Sequence, residues 1–143
     1  VDTTDFVKGE ITEIQYEENH VFKFQDKETK ADAVRFVFKL DGCKYNHFSR
    51  WMKFNYGEKS NIYLKYLLPL VENAKPDMDF DLDNLRGLKV KVLWASREYD
   101  NGNVFQYPEI IKPLNSKILN GAKIKQEEVT EIIGEESDGE MPF

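Results

Sequence analysis

The sequence predicts a mainly β protein: a five-stranded OB-fold barrel with a helix between strands three and four and a disordered acidic C-terminal tail. Three observations lead there. Five runs rich in Val, Ile, Phe and Tyr are bounded by turn signals. One stretch with helical periodicity falls between the third and fourth runs. After Pro113 the hydrophobic periodicity fades into a Glu-rich segment. Three strands, a helix and two strands is the OB order. Another small barrel or an α+β sheet would share that string of elements. The expected division is a folded domain over residues 1–115 and a flexible tail over 116–143, of which 116–126 can rest against the barrel.

The elements follow in order. Phe6 to Tyr16 reads as a strand with Gly9 inside it, the mark of a bend or bulge. Glu17-Glu18-Asn19 interrupts it, His20 to Phe24 resumes it, and Gln25 to Asp32 reads as a charged loop. Ala33 to Leu40 is the second strand, Asp41-Gly42 a hairpin turn, and Lys44 to Phe54 the third strand. Ser60 is the expected N-cap of a helix carrying Ile62, Tyr63, Tyr66, Leu67, Leu70 and Val71 on one face. Pro69 should kink or split that helix. Pro76 to Asn84 is an acidic connector. Leu88 to Tyr99 and Val104 to Ile111 form the last hairpin around Asn101-Gly102, a type I′ signal.

Charge is unevenly spread. The net charge is −6, yet Glu127, Glu128, Glu131, Glu135, Glu136, Asp138 and Glu140 lie in a terminal segment with no base. Without those seven the chain carries about +1. Residues 30–66 hold eight bases against three acids, and 86–97 hold four bases and no acid. Local potential governs binding, so the bulk acidity misleads. The 19 aromatics exceed what one small core needs, which leaves some for a surface. A single cysteine, Cys43, allows no internal disulfide and fits a reducing cytoplasm. No apolar run approaches the ~18 residues of a membrane span, and no signal peptide is visible.

A two-residue hairpin at Asp41-Gly42 would pair Leu40 with Cys43, Lys39 with Lys44, Val37 with Asn46 and Arg35 with Phe48. One face then collects Val34, Phe36, Phe38, Leu40, Tyr45 and Trp51, a core face with His47 and Ser49 among it. The other collects Arg35, Val37, Lys39, Lys44, Asn46, Phe48, Arg50, Met52 and Phe54, basic with aromatics interleaved. Lys39 opposite Lys44 would repel unless an anion sat between them. The second hairpin would pair Tyr99 with Val104 and Arg97 with Gln106. It directs Val90, Val92 and Trp94 inward and Lys89, Lys91, Arg97 and Tyr99 outward. Cations that meet phosphates beside rings that stack bases are the chemistry of single-strand binding. The candidate nucleic-acid-binding residues are Arg35, Lys39, Lys44, Asn46, Phe48, Arg50, Phe54, Lys91, Arg97 and Tyr99. The competing reading is a solvated cationic sheet face with Phe48 and Phe54 covered by a loop. Trp51 and Trp94 are expected in the core.

The terminal residues Glu-Glu-Ser-Asp-Gly-Glu-Met-Pro-Phe carry the most specific signal. They resemble the C-terminal tip of bacterial and phage single-stranded DNA-binding proteins: acids, a hydrophobic residue, proline and a terminal phenylalanine. Asp138 and Glu140 match the acidic part, Met141 the hydrophobic position, Pro142 the proline and Phe143 the last residue. Gly139 breaks the acidic run, and Met stands where Ile or Leu is usual. The resemblance implies an OB fold that coats single-stranded DNA in the cytoplasm of a bacterium or phage-infected host. It implies that the tip recruits replication, recombination and repair proteins, with Phe143 in an apolar pocket. It implies a homo-oligomer too, the bacterial members being tetramers and the phage ones varied. An acidic tail can also compete with nucleic acid for the basic face, so deleting 127–143 should tighten DNA binding at low salt.

Enzymatic signals are weak. Asp77, Asp79, Asp81 and Asp83 alternate, but an EF-hand loop opening at Asp77 would need glycine at Leu82 and glutamate at Leu88. Gly57-Glu58-Lys59-Ser60 lacks the upstream glycine of a P-loop, Met52 standing there. Cys43 and His47 cannot complete a zinc site. No catalysis, metal or cofactor is expected. The alternatives to DNA binding are an OB-fold protein-interaction module and an RNA-binding protein, since stacking platforms do not read the 2′-hydroxyl.

Overall fold

The computed structural model describes residues 1–119. Its framework is one antiparallel sheet of six strands: β1 (Val7–Phe24), β2 (Lys27–Leu40), β3 (His47–Phe48), β4 (Met52–Lys53), β5 (Lys89–Glu98) and β6 (Val104–Pro113). The order is β3-β2-β1-β5-β6, with β4 also pairing on β2. The protein is therefore mainly β, as expected, but the sheet is open: among the described residues no backbone pairing joins β3 or β4 to β6. Side chains span that gap. The Arg50 guanidinium lies 5.3 Å from the Phe105 ring centroid and 5.2 Å from that of Tyr107.

The expected loop over Gln25 to Asp32 is instead strand. Only Gln25 and Asp26 turn, with Gln25 at φ 56°, and His20–Phe24 pairs with Lys27–Ala31 as a projecting two-stranded arm. Glu17-Glu18-Asn19 is a register shift within one long strand, Asn19 taking φ 55°. Residues 27–30 are exposed on both faces, so they show no hydrophobic alternation by which a strand could be read. Gly9 sits where β1 closes on β2: a Cβ there would stand 2.8 Å from both the Lys39 carbonyl oxygen and Leu40 Cδ2.

The third strand departs most from expectation. The chain turns at Gly42, φ 76°, then runs unpaired before Phe48 meets Val37 and His47 meets Phe38. Lys39 and Lys44 are thus not a cross-strand pair; the Lys39 ammonium instead donates to the carbonyl of Cys43 at 2.6 Å. At Ser49 the ladder is broken by a side chain. Ser49 N donates to the Phe36 carbonyl, while the Phe36 N–H donates to Ser49 Oγ, each at 2.9 Å. Pairing resumes with Met52 on Val34, one residue out of step. That slip exchanges faces: Met52 is buried in the core and Trp51 is turned out of it, the reverse of the expectation for both. Tyr45, expected inside, lies on the long loop and is exposed.

Ser60 caps the helical stretch 61–70, its Oγ accepting from Tyr63 N at 3.1 Å. The middle turn, Tyr63–Leu67, is π-wound, with Leu68 N donating to the Tyr63 carbonyl, and Pro69 follows in the closing turn Leu68–Leu70. A widened turn ahead of proline relieves the clash between its ring and the carbonyl four residues back. The helix covers the open side of the sheet: Ile62, Tyr63, Tyr66, Leu67, Leu70 and Val71 are buried, and Tyr66 stacks on Phe36 at 4.1 Å. Trp94 lies in the core as expected, edge-on to Phe38 at 5.7 Å. Phe80 and Leu82 of the acidic connector pack inward. Ile118 bridges to Val71 and packs against the core, so the packed chain runs on past residue 115.

Candidate functional site

Between the arm, the β3–β4 segment, the helix start and β6 runs a groove of about 750 Å³. Its cations are Lys23, Arg50, Lys53, Lys59 and Lys65. Its rings are Phe22, Phe24, Trp51, Tyr66 and Tyr107, and no Asp or Glu lines it. Each wall has a local cause. The arm brings Phe22, Lys23 and Phe24 because β1 and β2 continue beyond the sheet as a ribbon. The Ser49 slip turns Trp51 toward solvent. The Ser60 cap sets the helix so that Tyr66 forms part of the floor and Lys65 reaches the Tyr107 ring at 5.7 Å. Burial pushes the Tyr66 hydroxyl well above the ordinary tyrosine range, so it is a neutral floor.

Cation and ring contacts continue beyond the groove. Trp51 meets His20 at 5.3 Å, and the Arg35 guanidinium lies 4.7 Å from Trp51 and 4.4 Å from Phe48. Arg35 is held in place by Gln15, whose Oε1 accepts from its Nε at 2.7 Å. On the other side Tyr99, Phe105 and Tyr107 form a file with centroid spacings of 4.7 and 5.7 Å, and Arg50 lies over the last two rings. Tyr99 stands at the tip of the last hairpin. The turn is not the two-residue type expected: Gly102 N donates to the Tyr99 carbonyl and Tyr99 N to the Asn103 carbonyl, with Gly102 at φ 86°. Arg97 consequently faces Phe105 rather than Gln106.

Of the residues expected from sequence, Arg50 lines the groove, Arg35 flanks it through Trp51 with Phe48 against the same guanidinium, and Tyr99 joins it through Phe105. Lys39, Lys44, Asn46 and Arg97 are exposed but line no part of it. Phe54 points to a different corner, packing on Tyr16 and Tyr56 at 5.8 Å each. Lys91 lies beside Phe6 on the face turned away from the core. Sequence reading missed Phe22, Lys23, Phe24, Trp51, Lys53, Lys59, Lys65 and Tyr107. The alternation Phe22-Lys23-Phe24 next to a two-residue turn was the available signal. Asp138, Glu140, Met141, Pro142 and Phe143 lie outside the described residues. No group of three or more metal-ligating side chains occurs among the described residues, and none of their helices is long and apolar enough to cross a membrane.

The groove can bind phosphates by charge and planar groups by stacking. No family model matches this chain, and neither a curated protein nor a solved structure is detectably similar to it.

Proposed function

We propose that this protein binds single-stranded nucleic acid, and single-stranded DNA without sequence preference, in the groove between the arm and β6. The observation that carries the reading is the lining of that groove: five cations and five aromatic rings with no carboxylate. Stacked bases contribute roughly 1–3 kcal/mol each whatever their identity, and cations beside them neutralise the backbone. We read the open sheet as an OB-type barrel. Its element string has the helix between the third and fourth strand units, β3 and β4 acting together as the third. In that fold the face of strands two and three, with the loops after strands one and four, holds oligonucleotides. Here those loops are the arm and the Tyr99 hairpin. On this reading the terminal tip, Asp138 to Phe143, recruits replication and recombination proteins to the coated strand.

The test is fluorescence anisotropy of labelled oligo-dT titrated with the full chain, beside a duplex and an oligo-U of equal length, at two salt concentrations. The expected result is salt-sensitive binding of the DNA strand with weak binding of the duplex. Absence of single-strand binding at low salt would overturn the proposal, and preference for oligo-U would move it to RNA.

A further inference from the structure

A second cationic surface lies on the sheet face turned away from the core. Lys8 on β1 is the direct partner of Lys91 on β5, and Lys91 is the direct partner of Lys112 on β6. The neighbours Val90 and Val92 are fully buried, so alternation turns Lys91 and its two partners outward. Three lysines thus form one transverse row. Two strand spacings of about 4.8 Å place them across roughly 10 Å.

Like charges directly opposite on neighbouring strands repel. One row over, the sheet compensates: Glu10 is the partner of both Lys39 and Lys89, and the Lys89 ammonium sits 2.7 Å from its carboxylate. Among the described residues the lysine row has no such relief. None of Lys8, Lys91 and Lys112 makes an ion pair with a described residue. The Phe6 ring gathers two of them, with the ammoniums of Lys91 and Lys112 at 5.8 and 5.3 Å from its centroid. The row is also separate from the groove: it shares no lining residue with it, and on β1 Lys8 is near the start of the strand whereas Phe22 is near its end.

We infer that the Lys8–Lys91–Lys112 row is a second nucleic-acid contact, one that holds the phosphate backbone of a strand extending beyond the groove. The inference rests on the proposed single-strand binding for its ligand. The row itself offers charge with no exposed ring beside it, Phe6 being half-buried under its lysines. It therefore reads phosphates alone, and only strands too long for the groove engage both surfaces.

The experiment compares the full chain with a row variant (Lys8→Gln, Lys91→Gln, Lys112→Gln) and a groove variant (Arg50→Ala, Trp51→Ala). Oligo-dT of about 8 and about 30 nucleotides, bracketing an OB site, and inorganic polyphosphate are the probes. The row variant should bind the long strand about tenfold more weakly at low salt. Its log–log salt slope should shrink by about 2, three phosphates at roughly 0.7 each. It should bind the short strand as the parent does. Polyphosphate, which also meets the groove cations, should bind the row variant severalfold more weakly than the parent, a larger loss than in the groove variant, which gives up one cation of the groove's five. Removing mutual repulsion should leave its melting temperature equal or higher, which separates lost contact from lost fold. Parent-like affinity and slope for the long strand in the row variant would overturn the inference. Undiminished short-strand binding by the groove variant would sink the groove reading alone, and the polyphosphate titration would still judge the row.

Discussion

Two aromatic clusters border the β4 segment, and they differ in the sign of the charge around them. On one side Trp51, Phe22 and Tyr107 sit among Arg35, Arg50, Lys53 and Lys65. On the other Phe54, Tyr16 and Tyr56 sit beside Asp79, Asp81 and Asp83. Exposure does not favour the first, since Phe54 and Tyr16 are exposed while Trp51, Phe22 and Tyr107 are half-buried. Charge does. The acidic corner pushes the Tyr16 hydroxyl above the ordinary tyrosine range, through burial first and then Asp83 and Asp81, and Tyr16 also contacts Asp83 at 3.4 Å. A polyanion would be repelled there and attracted across the strand. On the proposed reading, the charge of a ring's neighbours decides whether it serves as a nucleic-acid platform.

The sharpest way to break this contrast is Trp51→Ala. It removes a groove ring and one of the two rings over which Arg35 lies. Oligo-dT affinity should fall by about 1–3 kcal/mol, roughly 5- to 150-fold in Kd. Unchanged affinity by anisotropy would mean that the cation-rich cluster is a structural surface.

The opposite cluster should show itself in stability. Burial and then Asp81 and Asp79 push the Tyr56 pKa up to about 12. Its folded-state pKa lies above the unfolded one near 10, so the stability it contributes is intact below about pH 10 and lost as pH rises toward 12. Tyr16 and Tyr66 are shifted in the same direction. Tyr56→Phe deletes the 2.6 Å hydrogen bond donated to the Phe80 carbonyl. It should cost about 1 kcal/mol at neutral pH and make the alkaline loss shallower, both read from urea unfolding midpoints. Nucleic-acid affinity should not follow.

How much of this was legible follows from where each signal resides. Inward-facing apolar periodicity was clear, so the helix face from Ile62 to Val71 and the core strand residues Val34, Phe36, Phe38, Val90, Val92 and Trp94 were found. The Asn101-Gly102 turn was found but its pairing missed, because one glycine at positive φ serves either a two-residue turn or the longer bulged one observed. The groove was largely hidden for two physical reasons. The returning half of the arm, residues 27–30, is polar and exposed on both faces and carries no hydrophobic period. The Ser49 hydroxyl replaces a ladder bond, a substitution of side chain for backbone that no alternation pattern encodes, and the resulting slip moved Trp51 from core to surface. Arg50 was found because it lies before that slip takes effect.

A smaller effect tests the charge argument directly. Asp79→Asn with Asp83→Asn removes two of the carboxylates around Tyr16 and Tyr56 while sparing Asp81, which caps the Leu82–Leu85 turn by accepting from Asp83 N. Oligo-dT affinity should rise about two- to threefold at low salt. The gain should vanish near 1 M salt, where the screening length falls to about 3 Å. A gain that survives high salt would point to altered packing at the corner in place of altered potential.

The smallest expected change is the most discriminating. Phe54 alternates with cationic neighbours in the sequence and was read there as a stacking residue. In the fold its ring lies against Tyr16 and Tyr56, on the acidic side of β4. If base stacking needed only an exposed ring, Phe54→Ala would weaken DNA binding as Trp51→Ala does. If the ring's electrostatic surroundings decide, Phe54→Ala should leave oligo-dT affinity within about twofold, well below the 1–3 kcal/mol of a stacked base. It should instead lower the thermal midpoint, because Tyr16 and Tyr56 both lose a ring contact. Measuring anisotropy and melting on the same variant distinguishes the two. A tenfold loss of affinity with unchanged melting would bring Phe54 into the binding surface and extend that surface around β4 into the acidic corner.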